Sequence, residues 1–367
     1  MSEEILYSIA LRKSPLIGDI NFRKLIQLAG SAKEAWHLRK DLLMKADGIG
    51  AQIVKELGND DYLTFAEKEL QYCEKNNIRI RLRHLNELPN LLSECEDAPA
   101  VLYQKGNWDE TRTNLSVVGT RNATAYGRSF ITELCAELKG KPVTVVSGLA
   151  LGTDGHAHAE ALQNRLPTVA VLAHGFHRLY PAKHRALAER ILADNGALLT
   201  EFNSSQDPNP ENFIRRNRIV AGLSPITVVT ESAYGGGSIS TAGFANQYNR
   251  EVFALPGKIT DRYSQGCNML IALHKARIIV SRQDVIDELQ PELTPQVGSL
   301  FSPKEIPAKL TEEQELLFCA IRENDGIQLD DLAVHTALPT HKLMPLLLQL
   351  EMDGHIRTLS GRQYQVT

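Results

Sequence analysis

Residues 115–127 read LSVVGTRNATAYG. Leu115 to Val118 is a β-branched apolar run, Gly119 ends it, and a helical pattern opens near Ala125. An apolar strand followed at once by a glycine turn and a helix is the unit of a parallel sheet covered on both faces. The unit repeats. Apolar runs recur at 143–147 (VTVVS), 168–173 (TVAVLA), 197–200 (ALLT), 226–230 (ITVVT), 252–255 and 278–280. Helical patterns fall near 125–139, 154–164, 182–194, 211–222, 239–248, 268–275 and 283–289. This alternation predicts an α/β domain over 101–290, an extended Rossmann-like doubly wound sheet, mostly parallel. Its ligand site is expected at the carboxyl ends of the strands.

The flanks differ. Residues 1–100 place apolar side chains at helical spacing (Leu25, Leu28, Ala29; Ala66, Leu70, Cys73), so an all-α N-terminal domain is expected. Within it Ala46-Asp47-Gly48-Ile49-Gly50 resembles the turn of a helix–hairpin–helix or SAM-like module. Residues 291–310 hold four prolines and read as a linker. Residues 311–367 show three helical patterns, Glu312–Arg322, Leu329–Thr336 and His341–Met352, with Thr340 placed to cap the third. Two short strand-like runs follow, HIRTL and QYQV, which together describe a winged helix.

The chain has 367 residues and a formal net charge of −4. That sum argues at first against a nucleic-acid partner, but it is unevenly spread. Residues 1–100 carry −2, 101–290 carry +3 and 291–367 carry −5. Phosphate binding is therefore disfavoured at the winged helix, where a protein-contact or structural role is the better reading than DNA contact. The five cysteines have no paired spacing, so neither a zinc ribbon nor a disulfide framework is expected. No signal peptide or membrane span is read, and a cytoplasmic protein is expected.

Cations, glycines and hydroxyls gather at the expected strand ends. Gly119, Thr120 and Arg121 offer a tight turn, helix N–H groups and a forked cation suited to phosphate. Ser147 and Gly148 open a second small-residue turn. Asp154 reads as a helix N-cap; with His156 and His158 it does not make a metal set, since residues two apart lie on different helix faces. Lys183 follows an aromatic loop, Tyr180-Pro181. On the 211–222 helix Phe213, Arg216 and Asn217 share one face, while Ile214, Arg215 and Arg218 turn elsewhere. Gly236, Gly237 and Ser238 form an anion nest, and Lys258 and Asn268 lie at later strand ends. Glu231 stands alone as a possible base. No nucleophilic triad, cofactor fingerprint or metal spacing is present, so no cofactor is expected. A cationic, glycine-rich edge without a reaction centre suggests binding of a polymer.

Six ordered stretches carry a family resemblance: VVGTRNATAYG (117–127), SGLALGTDGHAHAEAL (147–162), HGFHRLYPAKH (174–184), FIRRNRIVAGLS (213–224), GGGSISTAGFANQYNREVFALPG (235–257) and GCNMLI (266–271). They resemble the DNA-processing protein A (DprA/Smf) family. The resemblance implies a single-stranded DNA-binding protein, not an enzyme. It also implies loading of a RecA-type recombinase in natural transformation and recombination, and a homodimer formed through the Rossmann-like domain. The family's G-[ST]-R turn falls on Gly119, Thr120 and Arg121, its F-x-x-R-N-R helix on Phe213, Arg216, Asn217 and Arg218, and its Y-P loop on Tyr180, Pro181 and Lys183. The first hairpin of the N-terminal module reads Ile17-Gly18-Asp19-Ile20 instead of G-x-G. Two other functions stand beside this one. The Gly235–Ser238 loop resembles, loosely, that of nucleoside-monophosphate phosphoribohydrolases, with Glu231 as the acid; a mononucleotide sensor would bind oligonucleotides poorly.

Overall fold

A computed structural model of the protein describes residues 2–43, 48, 50–293, 310–324, 327–336, 338–353, 355–359 and 363–366. Two compact units result, Met1–Thr294 and Pro295–Thr367.

The first unit opens with six helices: α1 (Ser2–Lys13), α2 (Asp19–Ala29), α3 (Ala32–His37), α4 (Lys40–Leu43), α5 (Ala51–Glu56) and α6 (Asp60–Lys75). Then come β1 (Ile78–Leu82), α7 (Asn90–Glu94), β2 (Val101–Gly106) and β3 (Thr113–Val118). The alternating part follows: α8 (Ala125–Leu138), β4 (Val143–Ser147), α9 (Thr153–Gln163), β5 (Thr168–Val171), α10 (Arg185–Ala193), β6 (Ala197–Thr200) and α11 (Pro210–Gly222). It closes with β7 (Ile226–Val229), α12 (Gly237–Gln247), β8 (Glu251–Ala254), α13 (Gln265–Ala272), β9 (Arg277–Ile278) and α14 (Arg282–Leu293).

These strands form one sheet in the order β1-β2-β6-β5-β4-β3-β7-β8-β9. Strands β3 to β9 pair in parallel, and β1 and β2 add an antiparallel edge beyond β6. The order turns back between β3 and β7, which is the switch point of a doubly wound sheet. Successive side chains on a strand serve opposite cores. Val117 and Val145 pack with Ile131, Leu134 and Leu289 on one face, and Val118 and Val146 with Ile219, Val220 and Ala242 on the other.

The N-terminal expectation of an all-α domain needs one correction. Residues 78–82 form β1, which pairs with β2 from Ile78↔Lys105 to Leu82↔Val101. The sequence IRIRL alternates apolar and charged, the period of a strand with one covered face. The β2 run, VLYQKG, forms a second strand that the expected set of apolar runs does not include. The helix–hairpin–helix turn lies in part outside the described residues, as do 294–309 of the expected linker.

Asp19 does not cradle a ligand in a hairpin. It stands in the first turn of α2 and pairs with Arg12 Nε at 3.2 Å and Arg215 Nη2 at 2.9 Å. Arg215 and Arg218 both reach Glu201 just beyond β6, at 2.7 and 2.6 Å. Burial works against the Asp19 charge, but Arg12, Arg218 and Arg215 hold its carboxyl below the usual range. This network ties the N-terminal helices to α11 and the sheet.

The second unit contains α15 (Glu312–Glu323), β10 (Ile327–Gln328), α16 (Leu329–Thr336), α17 (Thr340–Met352), β11 (Ile356–Leu359) and β12 (Gln363–Val366), the strands ordered β10-β12-β11. Pro339, not Thr340, occupies the N-cap of α17, with no side-chain cap bond. A capping box does close α15: Thr311 Oγ1 accepts from Gln314 N at 3.4 Å, and Gln314 Oε1 accepts from Thr311 N at 3.0 Å. Thr311→Ala is expected to destabilise this unit by about 1 kcal/mol, read as an earlier loss of its helical signal on heating. Unchanged melting would show that the cap contributes nothing. Among the described residues no helix is long and apolar enough to cross a membrane.

Candidate nucleic-acid interface

Three turns meet at the switch point and are stitched by backbone bonds. Thr120 N donates to Glu231 O at 2.7 Å, and Thr153 N donates to Thr120 O at 3.1 Å. The β3, β4 and β7 ends thus converge, and close approach requires glycine. A Cβ on Gly152, whose φ is +78°, would lie 2.4 Å from the carbonyls of Thr120 and Arg121. A cleft of about 600 Å³ opens over these turns. Gly119, Thr120, Arg121, Gly148, Phe213, Arg216, Asn217, Gly236, Gly237 and Ser238 line it, together with Tyr180, Arg178 and Ile214.

Arg121 is exposed, with its guanidinium 5.2 Å from the centre of the Phe213 ring. Tyr180 meets Phe213 edge to face at 5.8 Å and is 43% exposed. The aromatic pair therefore holds the cation at the mouth of the cleft, where a phosphate can reach it. The first turn of α12 also lines the cleft. Ile239 N already donates to Gly236 O at 3.0 Å, so the donors left to favour an anion there are those of Gly237 and Ser238.

The α8 N-terminus, in contrast, already holds an anion. Glu231 is buried and takes Thr124 N at 2.8 Å and Thr124 Oγ1 at 2.6 Å. Both its oxygens are engaged. The helix end after Gly119 is thus closed by the protein's own carboxylate, which corrects the expectation of a free anion site there.

Arg216 lies beneath the cleft, only 3% exposed. It donates to the carbonyls of Gly148, at 2.6 Å, and Val171. Burial lowers its pKa to about 10, although Asp154 beside it acts the other way. Burial likewise raises the Asp154 carboxyl, opposed by Arg216. Asp154 accepts from Ala150 N at 3.2 Å, closing the β4–α9 loop, and Gly152 is the N-cap. Asn217 donates to Gly237 O at 3.2 Å and Ser240 Oγ at 3.0 Å, pinning α11 to α12.

The remaining candidates lie elsewhere. Ser147 is buried and donates to Val117 O at 2.7 Å, between β4 and β3. Arg218 is 6% exposed and belongs to the Asp19–Glu201 network. Asn268 clasps Gly257 by two bonds, at 2.9 and 3.2 Å. Lys183 and Lys258 are exposed and outside the cleft lining. His156 faces Thr132, and His158 faces Thr168. Among the described residues no cluster of His, Cys, Asp or Glu could hold a metal ion. The sequence reading did not single out Arg178 as a cleft residue; its place between two aromatics in HGFHRLY was the available signal.

The family model described as "DNA recombination-mediator protein A" matches residues 79–290, and a DprA winged helix domain model matches 302–362. A putative DNA processing protein DprA of Mycobacterium tuberculosis is 37% identical over 276 residues, covering 73% of this chain and 69% of that protein. Protein Smf of Escherichia coli is 33% identical over 313 residues, covering 82% of each. The crystal structure of DprA from Streptococcus pneumoniae superposes with a TM-score of 0.67 at 31% identity, over 77% of this chain and 97% of that one. DprA from Helicobacter pylori, described for its single-stranded DNA binding mode, superposes at 0.51 with 28% identity, over 56% of this chain and 94% of that one. With its ordered motifs, doubly wound sheet and winged helix, the chain belongs to the DprA/Smf family of DNA-processing proteins.

Proposed function

We propose that the protein binds single-stranded DNA without reading its sequence, in the cleft at the β3, β4 and β7 ends. It acts there as a homodimer in the cytoplasm, without catalysis, and helps to load a RecA-type recombinase during DNA uptake and recombination. The 101–290 part carries the DNA, and the acidic 311–367 part contacts protein. The observation that carries this reading is the Arg121 guanidinium held over Phe213 beside the α12 N-terminus: a cation, an aromatic surface and backbone donors in one open cleft. The relative described for its single-stranded DNA binding mode supports the ligand, and the recombination-mediator family supports the loading step. Glu231 has both oxygens committed to Thr124, which argues against its use as the base of a phosphoribohydrolase.

Arg121→Ala is expected to weaken oligonucleotide binding and to reduce the slope of log K against log salt by about 1. Its stability should stay within about 0.5 kcal/mol of the parent. Titration at two or more salt concentrations reads both changes; a folded variant with unchanged affinity and slope would exclude this site. Loading is tested by recombinase assembly on single strands with and without the protein, and dimerisation by the mass of the free protein.

A further inference from the structure

We propose that Glu69, on the N-terminal helix α6, is a positioning residue for the cleft. It anchors the two loops that bring Arg178, Tyr180 and Pro208 to the cleft lining. The N-terminal helices thereby set the affinity for single strands without touching them. This rests on the single-strand reading above.

The two loops need an outside anchor. Residues 172–181 follow β5 and residues 201–209 follow β6, and neither stretch is helix or strand. A loop without ladder bonds takes its course from the bonds it makes to other segments. Glu69 supplies two of these. It is 3% exposed; Oε1 accepts from Ser204 N at 2.7 Å and Oε2 from Ser204 Oγ at 2.6 Å. Burial pushes the Glu69 carboxyl up, while Ser204 and the Lys13 charge pull it down. A buried carboxylate is costly unless its bonds are met. If Glu69 served packing alone, an apolar side chain would do as well.

The bonds pass onward from Ser204. Its carbonyl oxygen accepts from His177 N at 3.1 Å and from His177 Nδ1. Gly175 N donates to Gln206 O at 2.8 Å. Asp207 Oδ1 lies 3.3 Å from His177 Nε2 and 3.9 Å from Arg178 Nη1. The loops approach so closely that a Cβ on Gly175 would overlap the carbonyl oxygens of Asn203 and Ser204. They form one stitched piece, and Glu69 ties it to α6.

That piece lines the cleft. Arg178, its side chain 63% exposed, and Tyr180 come from the first loop, and Pro208 comes from the second. Tyr180 meets the Phe213 ring, over which the Arg121 guanidinium sits. Releasing Ser204 would therefore displace an exposed cation and an aromatic contact together. Glu69 itself is not among the lining residues, so its effect has to pass through the loops.

Titration of Glu69→Leu and Glu69→Gln with oligothymidylate at two salt concentrations tests this. Leucine fills the site but accepts nothing from Ser204. It is expected to weaken binding at least about fivefold, the low end of losing one stacked base. It should also lower the slope of log K against log salt by about 1, as Arg178 leaves the strand. Glutamine keeps an acceptor for Ser204 N and is expected to restore most of the affinity. Ser204→Ala removes one of the two bonds from the loop side, leaves α6 intact, and is expected to weaken binding in the same direction. In a protein carrying Arg178→Ala and Tyr180→Ala, Glu69→Leu is expected to cost nothing further, because residues that act through one another are not additive. Parent-like affinity and slope in a folded Glu69→Leu or in Ser204→Ala overturns the proposal and leaves the cleft standing. So does a Glu69→Gln as weak as Glu69→Leu, or an undiminished Glu69→Leu loss in the doubly substituted protein. No binding of oligothymidylate by the parent overturns the single-strand reading and this proposal with it.

Discussion

Arg216→Ala is expected to lower the unfolding free energy by about 3–5 kcal/mol, the usual cost of breaking a buried charged contact by removing one member. The side chain is 3% exposed and carries no water-facing role. Its guanidinium satisfies the carbonyls of Gly148, which enters the turn after β4, and of Val171, which ends β5. It also supplies the positive field that offsets burial of Asp154. Without it two carbonyls lose their donor and the carboxyl is driven further toward its neutral form. Lysine does not rescue this, because one ammonium cannot copy the planar fork that spans two carbonyls. Denaturant unfolding of the variant at neutral pH measures the loss; a change under about 1 kcal/mol would contradict it. DNA binding by Arg216→Ala would fall as well, through loss of the cleft floor. Arg121→Ala separates contact from scaffold, because Arg121 is exposed and lies at the cleft mouth.

That contrast marks where sequence reasoning reaches and where it stops. The strand-turn-helix alternation located β3 to β9 to within a few residues, because parallel strands buried on both faces have a distinctive apolar run. Helical spacing also separated Phe213, Arg216 and Asn217 from Arg215 and Arg218. Spacing gives a direction, however, and not a depth. It could not tell that Arg216 and Arg218 are buried among carbonyls and carboxylates contributed from distant segments, Gly148, Asp19 and Glu201. Nor could it tell that Glu231, more than a hundred residues beyond Thr124, closes the helix end after Gly119. The place of Ser147 and Asn268 at strand ends suggests ligand groups, yet their polar atoms bond the backbone of neighbouring segments. Strand β1 was lost for a different reason: its alternation is short, and the long helical context around it dominated.

Lowering the pH is expected to destabilise the protein through His158. This side chain is fully buried on α9, and its Nδ1 lies 2.7 Å from Thr168 Oγ1. The Thr168 hydroxyl donates its own hydrogen to Val145 O at 2.7 Å. It must therefore accept from His158, which places the ring proton on Nδ1 and leaves Nε2 without a partner. Protonation would put a charge and an unmet donor in an apolar core. Burial, with lesser repulsion from His184 and Arg216, lowers the His158 pKa to about 3. In the unfolded chain it titrates near 6.5. Between those values the unfolded state binds a proton that the folded state refuses, so stability is fully present above about 6.5 and is lost as pH falls. The loss is about 1.4 kcal/mol per pH unit, or about 2.7 kcal/mol by pH 4.5. His158→Gln keeps a donor for Thr168 and carries no titrating group. The parent's stability advantage over this variant should therefore shrink by about 2.3 kcal/mol between pH 6.5, where the unfolded group is already half protonated, and pH 4.5. His174, whose pKa burial also lowers, contributes equally to both proteins and cancels. Parallel stability curves for parent and variant would show that His158 is not the group responsible.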